Sequence, residues 1–426
     1  MYFGARWPYS LQYSWCGDWK ANTPFSPNVI QPNLMRVSGG LIRLTMENIV
    51  NKILMTLLAS VVVFAANVTA RVADTVTEAS PEAVQMIAQL GLREAPVASR
   101  DLPGWHVPNK VVVRYLTPAQ LSQLQTAFPD INIVGVQTPK HALAEVADAD
   151  VLLGFCNQAL MANAKQLHWL QVYSAGVEHC VNLPRLQGGK VLVSNGQRIG
   201  SPALAEHATA LMLTLMRGLD LHFAEQAKGK WKYNVGNPST TFLELQGRTV
   251  LVVGLGGIGT QVAQRAHALG MRVIATRGSR REGPDYVDYV GLADETITLA
   301  EQADVVINTV PLTQKTTAIF NREFFKSMKP EAYFISVGRG GSTVTDDLLA
   351  ALTAGEIAGA GLDVTDPEPL PAGHPLWTTP RVIITPHTAA RSDRSLQRLW
   401  LLVQENLRRY VAGDPLLSVV DVDRGY

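Results

Sequence analysis

Arg339, Glu368 and His387 lie in the last quarter of the chain, within the motifs SVGRGG, GLDVTDPEPLP and TPHTAA. A guanidinium can grip a carboxylate through its planar fork. An imidazolium can polarise a carbonyl oxygen and hand it a proton, and the neutral ring can take the proton back. A carboxylate beside that ring favours its cationic form and fixes its orientation. The three groups suit interconversion of a 2-keto acid and a 2-hydroxy acid, provided another group carries the hydride.

A carrier site precedes them. LVVGLGGIG at 251–259 closes an apolar run with Gly254, Gly256 and Gly259, and Gly257 and Ile258 fill the gap. The first glycine permits a tight turn and the second lets backbone approach a pyrophosphate. The third permits close strand–helix packing, and free amides at the helix start face the anion. Gly270 is the expected C-cap of that helix. The next strand ends at Thr276-Arg277-Gly278-Ser279, where a site for NAD commonly carries an acid. A guanidinium and a hydroxyl there suit a 2′-phosphate, so NADPH is expected over NADH. Arg280 and Arg281 read equally well as a solvated basic loop.

These residues need a frame. From about 108, apolar runs alternate with helical patterns: strands at 110–116, 131–136 and 190–195, a helix at 118–128, and a helix passing into a strand over 142–155. A long apolar helix at 201–219 leads to a second alternation, whose strands read TVLVV, RVIAT, DVVINTV, AYFISVG, AGAGLDV and RVIIT. Residues 391–411 form a final amphipathic helix expected to return to the first domain. Alternation of this kind predicts α/β architecture with parallel sheets covered on both faces.

Composition excludes several classes. Hydrophobic residues make up 47% and charged residues 17%, which fits globular domains. A net charge of +1 without a basic block gives no footprint for nucleic acid. Cys16, Cys156 and Cys180 lack the spacing of a zinc site, so no metal site is expected and each reads as an isolated small side chain. Residues 46–70 read differently. Lys52, an apolar run from Ile53 to Ala66 and Val68-Thr69-Ala70 have the layout of a secretory signal, too short for a spanning helix. Met46 is then the expected start. Export conflicts with use of free NADPH, which leaves localisation open between periplasm or membrane anchor and cytoplasm.

The motifs GLGGIGTQVAQRAHALGM, NTVPLTQKT, SVGRGG, GLDVTDPEPLP and TPHTAA together resemble the D-isomer-specific 2-hydroxyacid dehydrogenase family over roughly 108–426. The resemblance implies two doubly wound domains with a cleft between them. A flavodoxin-like substrate domain would comprise 106–204 and 388–426, and a Rossmann NAD(P)-binding domain 205–387, after an extension over 1–105. It implies Arg339 as the substrate arginine, Glu368 as the orienting carboxylate and His387 as the acid–base. Ser174, Ala175 and Gly176 would hold the substrate carboxylate through backbone amides; Glu178 stands where the family commonly has Asp. Ile258 would flank the pyrophosphate, Pro311 and Thr316 the adenosine half, Val337 the nicotinamide, and Asp363 its carboxamide, unless Asp363 is a capping residue. Glu206 and His207 read as structural, and Trp377 as pocket or core cover. The implied activity is reduction of glyoxylate-like or hydroxypyruvate-like 2-keto acids by a homodimer. A nucleotide-sensing binding protein of the same fold is the alternative.

Overall fold

The computed structural model describes residues 78–425. The signal-like segment 46–70 and the proposed start at Met46 lie outside them. No helix among the described residues is long and apolar enough to cross a membrane.

Two parallel sheets organise the fold. The first contains β1 (Lys110–Arg114), β2 (Asn132–Val136), β3 (Val151–Leu153), β4 (Trp169–Gln171) and β5 (Leu192–Ser194), in the order β2-β1-β3-β4-β5. This is the flavodoxin-like order, with its reversal between β1 and β3. The second contains β6 (Thr249–Val253), β7 (Arg272–Arg277), β8 (Tyr289–Leu292), β9 (Val305–Asn308), β10 (Tyr333–Ser336), β11 (Gly359–Leu362) and β12 (Val382–Ile384). Its order, β12-β11-β10-β9-β6-β7-β8, is that of a Rossmann sheet with one added strand. Strand β8 was not anticipated. Only Val290 and Gly291 of its four residues are buried, so no apolar run announces it.

Every central strand is buried on both faces, because helices cover both sides of a parallel sheet. Alternate residues therefore enter different cores: Val111 and Val113 pack on one face of the first sheet, Val112 on the other. The helix Ser395–Ala412 packs Leu399, Val403 and Leu407 against Val111, Val113 and Trp169. Each such side chain contributes roughly 1.5–3 kcal/mol when fully buried. A buried polar chain fixes the helix's register. Asn406 Nδ2 donates to Gln171 Oε1 at 2.8 Å, Ser194 Oγ donates to the same atom at 2.7 Å, and Trp169 Nε1 donates to Ser194 Oγ at 2.8 Å.

The expected extension over 1–105 differs from the observed packing at its end. The helix Pro81–Leu90 supplies Met86 and Leu90 to the core of the first sheet, and Leu92 follows them. Its short amphipathic pattern lies beyond the recognisable alternation that begins near 108.

The cysteine expectation is also corrected. Cys156 and Cys180 form a disulfide with Cα atoms 5.9 Å apart. The two residues are 24 apart in sequence, and they meet because β3 and β4 are neighbours and each leads into one of the two loops. No local spacing could reveal that.

Candidate active site

In each sheet the strand order reverses at one point, and the loops at the carboxyl ends of strands there form the usual ligand crevice. The glycine turn follows β6 at the reversal in the second sheet. Gly254 has φ +96°, open to glycine at little cost. A β-carbon on Gly256 would meet nothing within 4 Å, whereas one on Gly259 would lie 2.2 Å from the Gly254 carbonyl oxygen. The turn is thus open where a pyrophosphate must approach and closed where strand and helix pack. The helix Gly257–Ala268 begins there, with its first amides lacking intrahelical acceptors. Leu269 is its C-cap, and Gly270, the residue expected there, follows one position later with φ +78°.

Thr276 is buried at the end of β7, and its carbonyl accepts from the amides of Gly254 and Leu255. Arg277 is half-buried, and its Nε is buried without a hydrogen-bond partner. Such an orphan donor signals a missing acceptor. Ser279 is exposed. Arg280 and Arg281 pair with Glu282 and Glu295, at 3.8 and 2.8 Å. The open cradle and the orphaned guanidinium nitrogen fit a phosphorylated dinucleotide.

Arg339 follows β10, between two glycines that cannot be replaced. A β-carbon on Gly338 would lie 2.8 Å from the Val310 carbonyl oxygen, and one on Gly340 1.8 Å from that of Thr365. Buried Asn308 braces the turn by donating to Ser336 Oγ and Ser342 Oγ at 3.0 and 2.8 Å. The Arg339 guanidinium reaches the other domain's loop. Its Nε donates to Glu178 Oε1 at 2.8 Å, and a β-carbon on Gly176 would lie 2.2 Å from its Nη2. Burial opposes ionisation of Glu178, but a hydrogen bond to its own backbone and the Arg339 charge together hold its carboxyl below the ordinary range.

The loop around Gly176 is held from behind. Tyr173 donates its hydroxyl to the Arg114 carbonyl at 2.6 Å, Ser174 Oγ donates to the Gly176 carbonyl at 2.7 Å, and Asn195 Nδ2 donates to the Ala175 carbonyl at 2.6 Å. The amides of Ala175 and Gly176 have no acceptor among the described residues. The Cys156–Cys180 disulfide joins this loop to the one after β3.

His387 follows β12 with φ +52°, an uncommon conformation for a non-glycine residue and one that clusters at functional sites. Its Nδ1 lies 2.5 Å from Glu368 Oε1, and both side chains are partly exposed. That pairing leaves Nε2 as the nitrogen available to a substrate.

Asp363 sets the turn. It is 1% exposed and accepts from the amides of Thr388 and Ala389 at 2.9 and 3.0 Å and from Thr385 Oγ1 at 2.7 Å, while its carbonyl receives the His387 amide at 2.8 Å. Its carboxylate thus caps the backbone turn, as one of the two sequence readings expects, and Oδ2 accepts a single hydrogen bond among the described residues.

The other residues singled out in the sequence take definite places. His207, read from the sequence as structural, has its Nε2 2.9 Å from Thr385 Oγ1. Since that hydroxyl donates to Asp363, His207 must supply the other proton. Val337 is buried within the second domain's core. Trp377 is half-exposed and donates to the Pro371 carbonyl, so it does not cover the core. Ile258 packs at the edge of the same core as Val337. Thr316 Oγ1 donates to the Pro311 carbonyl at 2.6 Å, closing the loop after β9. Glu206 pairs with Arg265 at 3.1 Å. The Glu178–Arg339 ion pair, the disulfide and the His207–Thr385–Asp363 chain are the contacts that sequence reasoning missed.

Residues 209–389 match the NAD binding domain of D-isomer specific 2-hydroxyacid dehydrogenases. The glyoxylate reductase/hydroxypyruvate reductase of Homo sapiens is 33% identical over 264 residues, covering 61% of this chain and 78% of that protein. An NADPH-dependent glyoxylate/hydroxypyruvate reductase from Sinorhizobium meliloti, solved with NADP and sulfate, superposes with a TM-score of 0.64 at 28% identity, over 75% of this chain and all of that one. A probable 2-hydroxyacid dehydrogenase from Rhizobium etli CFN 42, solved with NADP, HEPES and L(+)-tartaric acid, gives 0.63 at 27% identity over 74% and 99%. With the two sheet orders and the glycine turn already established, these likenesses place the chain in the D-isomer specific 2-hydroxyacid dehydrogenase family of oxidoreductases.

Proposed function

We propose that this chain reduces small 2-keto acids of the glyoxylate and hydroxypyruvate type to D-2-hydroxy acids, with NADPH preferred over NADH. The observation that carries the reading is the His387–Glu368 pair at 2.5 Å beside a strand whose neighbour carries Arg339, itself lying against Gly176. The human and S. meliloti relatives bear names for this activity, and both solved relatives described above hold NADP.

The chain's own groups divide the work. Arg339 and the amides of Ala175 and Gly176 receive the substrate carboxylate, which must displace Glu178 from the guanidinium. His387, protonated, points Nε2–H at the keto oxygen and transfers that proton as the carbonyl is reduced; Glu368 stabilises the imidazolium until then. The bound dinucleotide supplies the hydride to the keto carbon. Asp363, with His207 behind it through Thr385, keeps the His387 turn in its left-handed form. Gly254, Gly256, Gly257, Ile258 and Gly259 hold the pyrophosphate, Pro311 and Thr316 border the adenosine half, and Arg277 with Ser279 selects the 2′-phosphate.

A homodimer is part of this reading. The segment 219–242 exposes Phe223, and Trp231 and Tyr233 beside a cavity of about 1050 Å³, an apolar surface of the kind that marks protein contacts.

The test is a panel of 2-keto acids followed through NADPH and NADH oxidation, with Arg277→Asp beside the wild-type chain. Turnover of glyoxylate or hydroxypyruvate is expected, and the substitution should move the cofactor ratio towards NADH by about tenfold or more. A folded protein that binds dinucleotide but turns over no 2-keto acid would favour a binding role. An unmoved ratio would remove Arg277 from cofactor selection.

A further inference from the structure

Arg277 and Arg198 flank the strand and helix of the glycine turn, and the field of a third arginine, Arg93, reaches both. Arg277 comes from the end of β7. Arg198 precedes the helix Ser201–Met216, in a left-handed backbone conformation at φ +68°. Its aliphatic stem lies against the start of the dinucleotide helix: a β-carbon on Gly257 would sit 2.8 Å from Arg198 Cγ. Its Nη1 donates to the Leu90 carbonyl at 3.2 Å, which ties the guanidinium to the end of the helix Pro81–Leu90. Arg93 lies three residues beyond Leu90, anchored by the Ser418 amide donating to its carbonyl at 3.0 Å.

Among the described residues, none of these three arginines forms an ion pair. Glu94, next to Arg93, is engaged with Arg409 at 2.8 Å. Glu282 is the acid whose field reaches Arg277, but it pairs with Arg280. Burial, then the fields of Arg93 and Arg277, holds the Arg198 guanidinium below its ordinary pKa. Burial, then Arg280 and Arg93, does the same for Arg277. Charges of one sign gathered without a counter-charge destabilise one another, and the buried Nε of Arg277 has no acceptor.

We propose that Arg93 and Arg198 complete, with Arg277, a three-guanidinium phosphate site spanning both domains. Arg198 acts on the pyrophosphate beside Gly257, and Arg93 joins Arg277 in binding a 2′-phosphate. The proposal rests on the NADPH reading above and extends it to two residues outside the matched NAD binding domain. It gives the segment after Leu90 a task in cofactor recognition. A guanidinium serves here because its planar fork bonds phosphate oxygens in pairs.

The experiment is a fluorescence or calorimetric titration of NADPH, NADH and inorganic pyrophosphate, without substrate, into the full chain and into Arg93→Gln, Arg198→Gln and Arg198→Lys. Thermal melts confirm that each variant is folded. Arg93→Gln should weaken NADPH about tenfold and NADH less than twofold. Arg198→Gln should weaken NADPH, NADH and pyrophosphate together by about tenfold, and Arg198→Lys should recover part of the loss. If the wild-type chain binds both dinucleotides equally while Arg198→Gln weakens both, the pyrophosphate assignment stands, and the NADPH preference and the 2′-phosphate role of Arg93 fall. If the wild-type chain prefers NADPH but neither glutamine variant alters any affinity, the three-arginine site is overturned and Arg277 alone carries the preference.

Discussion

Two of the histidine–carboxylate pairs among the described residues, His387–Glu368 and His106–Asp150, differ in almost everything except chemistry. His387 and Glu368 stand 2.5 Å apart on loops at the carboxyl ends of strands, both partly exposed. His106 and Asp150 stand 3.1 Å apart near the amino ends of β1 and β3. There the carboxylate is buried, and its second oxygen accepts the amides of Asn109 and Lys110 at 2.7 and 3.1 Å. His106 is held on its other side by the Gly104 carbonyl at 3.1 Å, and His168 packs edge-on against it. Burial, then the fields of His106 and Arg185, lowers the His168 pKa, with Asp150 opposing. One carboxylate serves a ring whose far nitrogen is free; the other serves the backbone first. A histidine beside an acid is therefore no site by itself. Position at the strand ends and an uncommitted nitrogen decide.

The largest effect should come from His387→Ala, which removes the proton donor while sparing the dinucleotide cradle. Reductase kcat should fall by about 10³-fold or more, with NADPH affinity unchanged by titration. Glu368→Gln keeps a hydrogen bond to the ring but loses the charge, and kcat should drop by roughly 10²-fold. Should Asp150→Ala cost as much kcat as Glu368→Gln, the distinction between the pairs would collapse. Instead it should leave kcat within about twofold and lower stability by about 1–3 kcal/mol in urea unfolding, because two part-buried amides lose their acceptor.

Smaller still is the effect of Glu178→Gln. A partly exposed ion pair is worth about 0.2–1 kcal/mol, so freeing Arg339 should lower the KM of a 2-keto acid about two- to fivefold at neutral pH. The pH dependence has a fixed sign. The Glu178 carboxyl titrates below its unfolded value, so the pair is fully present above the ordinary glutamate pKa of about 4.3 and is lost as pH falls through the lower folded value. The variant's KM advantage should shrink below about pH 4. An advantage that grows in acid would contradict the assigned pair.

Much of this was legible in the chain because it is written locally. TVLVV became β6 residue for residue, since a strand buried on both faces shows an unbroken apolar run. Gly254, Gly256 and Gly259 declared their turn by spacing alone, one for its positive φ, one for open backbone and one for close packing. What escaped is created by the fold. Cys156 meets Cys180 only through the adjacency of β3 and β4, and Glu178 meets Arg339 only across two domains. Asp363 allowed two readings in sequence, and its contacts with the amides of Thr388 and Ala389, far along the chain, appear only in the fold. The helix Pro81–Leu90 was hidden because ten amphipathic residues mean little until a core receives them.

The account stands most directly on where the hydride goes and which side chain must accompany it with a proton. Hydroxypyruvate incubated with NADPH carrying deuterium at the transferable position, and analysed by NMR, should yield a D-2-hydroxy acid labelled at C2 with the wild-type chain, and the same product about 10³-fold more slowly or not at all with His387→Ala. A folded, NADPH-binding wild-type chain that leaves C2 unlabelled, or a His387→Ala variant that labels it at the wild-type rate, would contradict it.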